Sequence, residues 1–116
     1  MAKTVTVYEK PTCTTCRNMS VLLAENGVKF DKVNYFTEPF TIETLAKLIK
    51  KTGLKPREVL RKRELKESLI SEDSPDDKII EAMVKNPNLI QRPIVELGDK
   101  AVLARPIEKV RELLHF

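Results

Sequence analysis

The stretch that most constrains this chain is residues 4–18, Thr-Val-Thr-Val-Tyr-Glu-Lys-Pro-Thr-Cys-Thr-Thr-Cys-Arg-Asn. Its first five positions alternate polar and apolar side chains and are rich in β-branched residues, which predicts a strand. Glu9, Lys10 and Pro11 break the alternation. A Thr12 hydroxyl can then accept a backbone N–H and cap a helix that begins near Cys13. A strand leading directly into a helix start leaves Cys13 among unpaired N–H groups at the positive end of the helix dipole. Its thiol pKa is therefore expected to fall from about 8.5 towards neutrality. Cys16 follows one turn later, within disulfide reach.

Size and composition narrow the options. At 116 residues the chain is expected to form one domain spanning 1–116. With 41% hydrophobic and 33% charged residues it has a globular balance, not a disordered one. No apolar run of about 18 residues and no signal-peptide pattern occurs, so no membrane role and a cytoplasmic location are expected. Two cysteines three apart suit a reducing compartment and a working redox pair better than a disulfide framework. A net charge of +4 and a pI of about 9.1 fit an anionic small substrate, an acidic protein partner or weak nucleic-acid affinity. The basic cluster at residues 55–66 reads as a solvated helix face. Aromatics make up 5% with no Trp, so stacking platforms for nucleic acid, and direct nucleic-acid binding, are not expected. The single histidine is His115, so a zinc site or other metal centre is not expected either.

Further along, a helix over 13–26 has Met19, Leu22 and Leu23 on one face and stops at Gly27. A second strand follows at 28–35, giving a βαβ unit with parallel strands. Ile42, Leu45, Ala46 and Ile49 predict an amphipathic helix between a Thr41 cap and Gly53. A short helix or helix pair at 55–65 offers Val59 and Leu60 to the core. Ser74-Pro75-Asp76-Asp77 reads as a capped helix start, and Ile79, Ile80, Met83 and Val84 form that helix's buried face up to Asn86–Pro87. Strands at 93–97 and 101–104 join through Gly98-Asp99 as an antiparallel pair. Pro106 opens a last helix with Ile107, Val110, Leu113 and Leu114 inward. The order is βαβ, then helices, then ββα.

Cys13 is the candidate nucleophile, against the alternative of a small buried hydrophobe at a strand–helix junction. Cys16 is either a resolving thiol or a residue packed beneath Cys13. Arg17 is expected at the surface. Arg61, Arg92 and Arg105 each lie at the end of an element. Together with the helix N-terminus they would form a site for a tetrahedral oxyanion, because guanidinium groups bind such ions in bidentate fashion. A phosphatase loop is excluded by spacing: it needs an arginine about six residues after the nucleophile to cradle phosphate, and position 19 is Met.

A Cys-x-x-Cys after the first strand of a βαβ unit, with a ββα finish, resembles the thioredoxin-type arrangement. The fold class implied is α/β, a βαβ–ββα core with a mixed four-stranded sheet and a helical insertion at roughly 41–88. Arg92–Pro93 stands where such folds carry a cis-proline facing the active cysteine. More specifically, PTCTTCRN, VLRKRE and the block at 86–106 resemble the ArsC family of glutaredoxin-linked arsenate reductases and its Spx-type relatives. That resemblance implies a Cys13 thiolate that attacks arsenate, with Arg61, Arg92 and Arg105 holding the oxyanion. It implies no bound cofactor, glutathione as co-substrate, and glutaredoxin or thioredoxin as the recycling partner. Many such reductases carry His-Asn where this chain has Glu9-Lys10, and a carboxylate there is expected to oppose a Cys13 thiolate unless Lys10 offsets it. Many carry serine where this chain has Cys16. Cys-x-x-Cys at this place resembles the Spx-type regulators, which implies as an alternative a disulfide switch that contacts the RNA polymerase α-subunit.

Overall fold

The computed structural model describes residues 4–10, 12–67 and 70–114. Strand β1 (Val5–Glu9) leads into helix α1 (Thr14–Glu25) and strand β2 (Phe30–Asn34), which pairs parallel with β1. Strands β3 (Ile94–Leu97) and β4 (Lys100–Leu103) form a hairpin, and β3 lies antiparallel on the other side of β1. The sheet order is therefore β2-β1-β3-β4. Parallel β1 and β2 need a crossover, and α1 supplies it; antiparallel β3 and β4 need only the turn at Gly98, φ 62°.

Between β2 and β3 the chain forms α2 (Ile42–Thr52), α3 (Pro56–Val59), a 3₁₀ segment at Lys62–Glu67, α4 (Asp76–Lys85) and a 3₁₀ turn at Pro87–Leu89. Helix α2 has the clearest local signals. Thr41 and Thr44 form a reciprocal capping box, and Gly53 closes the helix at φ 76°, a left-handed conformation that favours glycine. Thr41→Ala removes the bond from the Thr44 N–H to the Thr41 hydroxyl and should lower stability by about 1 kcal/mol, read as a lower urea midpoint with an unchanged slope.

The sheet is covered on both faces. On one, Leu45, Ile49, Ile79 and Met83 from α2 and α4 pack with Leu60, Ile90 and Ile94. On the other, Met19 and Leu23 of α1 pack on Val5, Val7 and Val95, closed off by Val110. Val59 and Leu60 are both fully buried, as their sequence pattern predicted.

Several local readings need correction. Thr12 does not cap α1; Cys13 itself takes the N-cap position. Ser74 does not cap α4, whose N-cap position is Pro75; its Oγ instead accepts the Ser71 N–H within the preceding turn. A serine followed by proline cannot reach forward to the helix N–H groups when it is already held by the turn behind it. The last helix opens as a 3₁₀ turn (Ile107–Val110) before α5 (Arg111–Leu114), with Val110 buried. His115 lies outside the described residues. Among the described residues no helix is long and apolar enough to cross a membrane.

Candidate active site

The end of β1 and the start of α1 place Cys13. Its N–H donates to the Lys10 carbonyl at 2.9 Å, and its own carbonyl accepts the Arg17 N–H at 3.0 Å as the first bond of the helix. The side chain is half-buried and closes no cap bond of its own. Burial works against a charge on the sulfur. The Cys16 N–H, the Cys16 thiol and the Arg92 guanidinium outweigh it and hold the Cys13 thiol below its ordinary range. Cys16 is completely buried. Burial pushes its thiol up to about 12; a backbone N–H from Lys10 works the other way, while the contact with Cys13 and the Glu9 charge add to the rise. Both cysteines are free, and the pair is asymmetric: the Cys13 thiol is shifted down and the Cys16 thiol is shifted up.

Arg92 is the second fixed point. It stands at a cis Arg92–Pro93 bond just before β3 and is 4% exposed. Its Nη1 donates to the Ile90 carbonyl at 3.4 Å, and the guanidinium lies 5.9 Å from the Phe36 ring centroid. Tyr35 is buried beside it, its hydroxyl donating to the same Ile90 carbonyl at 3.4 Å. Burial pushes the Tyr35 phenol up to about 12, with Arg92 pulling in the other direction. Arg92 Nε is buried and has no hydrogen-bond partner. Leaving a donor on a buried guanidinium unpaired is costly, so an acceptor brought to it would be favoured.

Arg105 extends this charge to the surface. It precedes a second cis bond, Arg105–Pro106, and its Nη1 donates to the Arg92 carbonyl at 2.9 Å. Arg61 is held by its N–H, which donates to the Leu89 carbonyl at 2.6 Å. Burial lowers the Arg61 pKa, and the neighbouring charges of Arg92, Arg63 and Arg105 lower it further. Arg61 and Arg105 line one open pocket of about 370 Å³ with Lys62, Arg63, Gln91 and Leu60. Thus Cys13 contacts both Cys16 and Arg92, Arg105 is joined to Arg92, and Arg61 and Arg105 line the same pocket. Arg17 is exposed on α1.

Four contributors were not evident in the sequence. Tyr35 and Phe36 flank Arg92, although nothing in their local pattern distinguishes them from core aromatics. Gln91 donates to the Glu58 and Leu60 carbonyls at 3.0 and 3.3 Å and so ties the Arg61 segment to the Arg92 segment. Lys10 reaches Asn88 at 3.5 Å and lies 4.9 Å from the Phe36 centroid, bracing the loop that carries Arg92. The expectation for Glu9 also changes. Its carboxyl is buried, and its charge bears on Cys16; the groups acting on Cys13 are Cys16 and Arg92. Among the described residues no group of three or more His, Cys, Asp or Glu could hold a metal ion.

Comparison with known proteins agrees with this frame. The ArsC family model matches residues 8–113. The protein YfgD of Escherichia coli K12 is 39% identical, over 98% of this chain and 99% of its own. A protein named arsenate reductase from the same strain is 38% identical over 95% of this chain and 80% of its own. The solved structure titled arsenate reductase from Vibrio cholerae superposes with a TM-score of 0.83 at 32% identity, covering 97% of this chain and 98% of that one. Family match, curated relatives and a thioredoxin-like fold shared with that structure coincide over nearly the whole length, and the chain belongs to the ArsC family.

Proposed function

We propose that the protein is a thiol-dependent reductase of a tetrahedral oxyanion, with arsenate as the substrate. The single observation that carries this reading is the buried Arg92 guanidinium, which has one donor left unpaired and lies beside a Cys13 thiol held below its ordinary range. A disulfide switch has no use for an unpaired donor on a buried guanidinium; an oxyanion substrate pairs with it. Family membership and the arsenate reductase names of its relatives support the same choice.

In this reading the Cys13 thiolate attacks arsenic(V), an S–As bond forms and hydroxide leaves, protonated to water. Arg92, Arg105 and Arg61 neutralise the oxyanion and the charge that builds in the transition state. A glutathione thiolate then attacks the Cys13 sulfur. The S–As bond breaks with its electron pair remaining on arsenic, which departs as arsenite, and a Cys13–glutathione disulfide remains. Glutaredoxin, or thioredoxin as a general dithiol reductant, returns Cys13 to the thiol. The test is arsenate-dependent NADPH oxidation coupled through glutathione and glutaredoxin or through thioredoxin. Turnover with either system is the expected result, and none with both removes the assignment.

One observation favours a second reading. Cys13 and Cys16 touch, so oxidation could join them and turn the protein into a redox-sensing regulator of RNA polymerase. Capture of the polymerase α-subunit in only one redox state would support it; equal absence of binding in both states would count against it.

A further inference from the structure

Elements β1, β2, α2 and β3 meet around a second cavity that no step described above uses. Tyr8 on β1, Val33 on β2, Pro39 and Phe40 in the link that follows β2, and Leu48 on α2 form its apolar walls. It encloses about 340 Å³, within the range of small-molecule sites, and shares no lining residue with the pocket of Arg61 and Arg105. Its walls are held by contacts within the protein. The Phe40 ring packs against Tyr8 at 5.3 Å between centroids and against Tyr35 at 5.4 Å. The Tyr8 hydroxyl donates to a Glu96 oxygen at 2.8 Å.

The polar groups around these walls sort into two sets. Lys51 and Glu96 pair with each other, and Lys51 also donates to the Gly98 carbonyl at 3.1 Å. The Thr44 hydroxyl is committed to Thr41 in the capping box. Two charges are left over at the exposed edge of the cavity. The Glu38 carboxylate has no hydrogen bond or ion pair among the described residues. Lys47 pairs with Glu43 at 3.9 Å, but both side chains are exposed, and such a contact is worth little in water. A simple anion entering here would be repelled by Glu38, and a simple cation by Lys47. A molecule with an ammonium and a carboxylate on one apolar body pairs with both and adds no net charge.

We propose that this cavity binds a free α-amino acid with a large apolar side chain. The side chain lies against Val33, Phe40 and Leu48, the ammonium meets Glu38, and the carboxylate meets Lys47. A free amino acid fits better than the end of a peptide. An N-terminal residue brings only the ammonium with its side chain, and a C-terminal residue only the carboxylate, so either would leave one of the two rim charges without a partner. None of the lining residues takes part in the chemistry at Cys13, so this binding stands or falls apart from the arsenate assignment.

L-Phenylalanine is the probe, followed through the backbone ¹H–¹⁵N shifts of the intact protein. Saturable shifts are expected at Val33, Glu38, Phe40 and Lys47. N-Acetylphenylalanine and phenylalaninamide should each bind about fivefold more weakly, the upper end for an exposed ion pair. Glycine, with no side chain to fill the apolar walls, should give no saturable shift. Lys47→Met should weaken phenylalanine about fivefold without weakening phenylalaninamide, which has no carboxylate to lose. Glu38→Gln should likewise weaken phenylalanine without weakening N-acetylphenylalanine. Both positions are exposed, so the substitutions should leave the fold intact, and the analogue comparison in the unmutated protein needs no substitution at all. Absence of a saturable shift with phenylalanine overturns the proposal. So does equal binding of either blocked analogue, which would make the cavity a seat for a peptide end, and so does phenylalanine binding that neither substitution weakens.

Discussion

Cys13→Ser should abolish arsenate-dependent turnover, with a loss on the order of 10⁴- to 10⁶-fold, the scale seen when a covalent nucleophile or its base is removed. The reason is chemical. A serine hydroxyl at this position would face the same Cys16 N–H and the same Arg92 charge, but its pKa lies far above that of a thiol. Neither influence could bring it to a useful alkoxide population near neutral pH. Reduction also requires the atom bonded to arsenic to accept a second bond to sulfur when the adduct is resolved, which oxygen cannot do. Serine is nearly the same size, and Cys13 is only half-buried, so the thermal midpoint should move little. Residual turnover within tenfold of the parent would show that Cys13 is not the nucleophile.

The second large effect is at Arg92. Arg92→Met keeps most of the buried volume while removing the charge, so it separates electrostatics from packing. The KM for arsenate should rise about 10- to 150-fold, equivalent to the 1.5–3 kcal/mol of hydrogen bonds to a charged group. The same change should raise the Cys13 pKa, because Arg92 is among the groups that lower it. The sign is fixed by the direction of the shift. In the parent, the rate of Cys13 alkylation by iodoacetamide should reach half its maximum below the ordinary thiol range, because the charged form is the favoured one. In the variant that midpoint moves upward, and alkylation at neutral pH slows. A higher KM with an unmoved alkylation profile would mean that Arg92 binds substrate without activating the thiol. Stability should change less than binding, since the parent already buries an unpaired Nε that the variant lacks.

Much of this architecture was legible in the chain because it depends on local or periodic signals. The alternation in residues 5–9, the Thr41 and Gly53 boundaries of α2, and the hairpin turn at Gly98 are set by neighbours a few residues apart, and the structure reproduces them. The cysteine pair was likewise legible, since a helix start after a strand is a local event. What the sequence could not decide were contacts between segments distant along the chain. Thr12 lost the cap to Cys13, and Ser74 turned back to Ser71, because each hydroxyl had competing partners that only the folded backbone orders. The bond from Arg105 to the Arg92 carbonyl spans the β3–β4 hairpin, and the pocket shared by Arg61 and Arg105 joins a residue among the inserted helices to one that follows β4. Glu9 shows the difference most plainly. Sequence position placed its charge next to Cys13, whereas strand pleat turned it under α1 towards Cys16, because adjacent residues of a strand face opposite sides of the sheet.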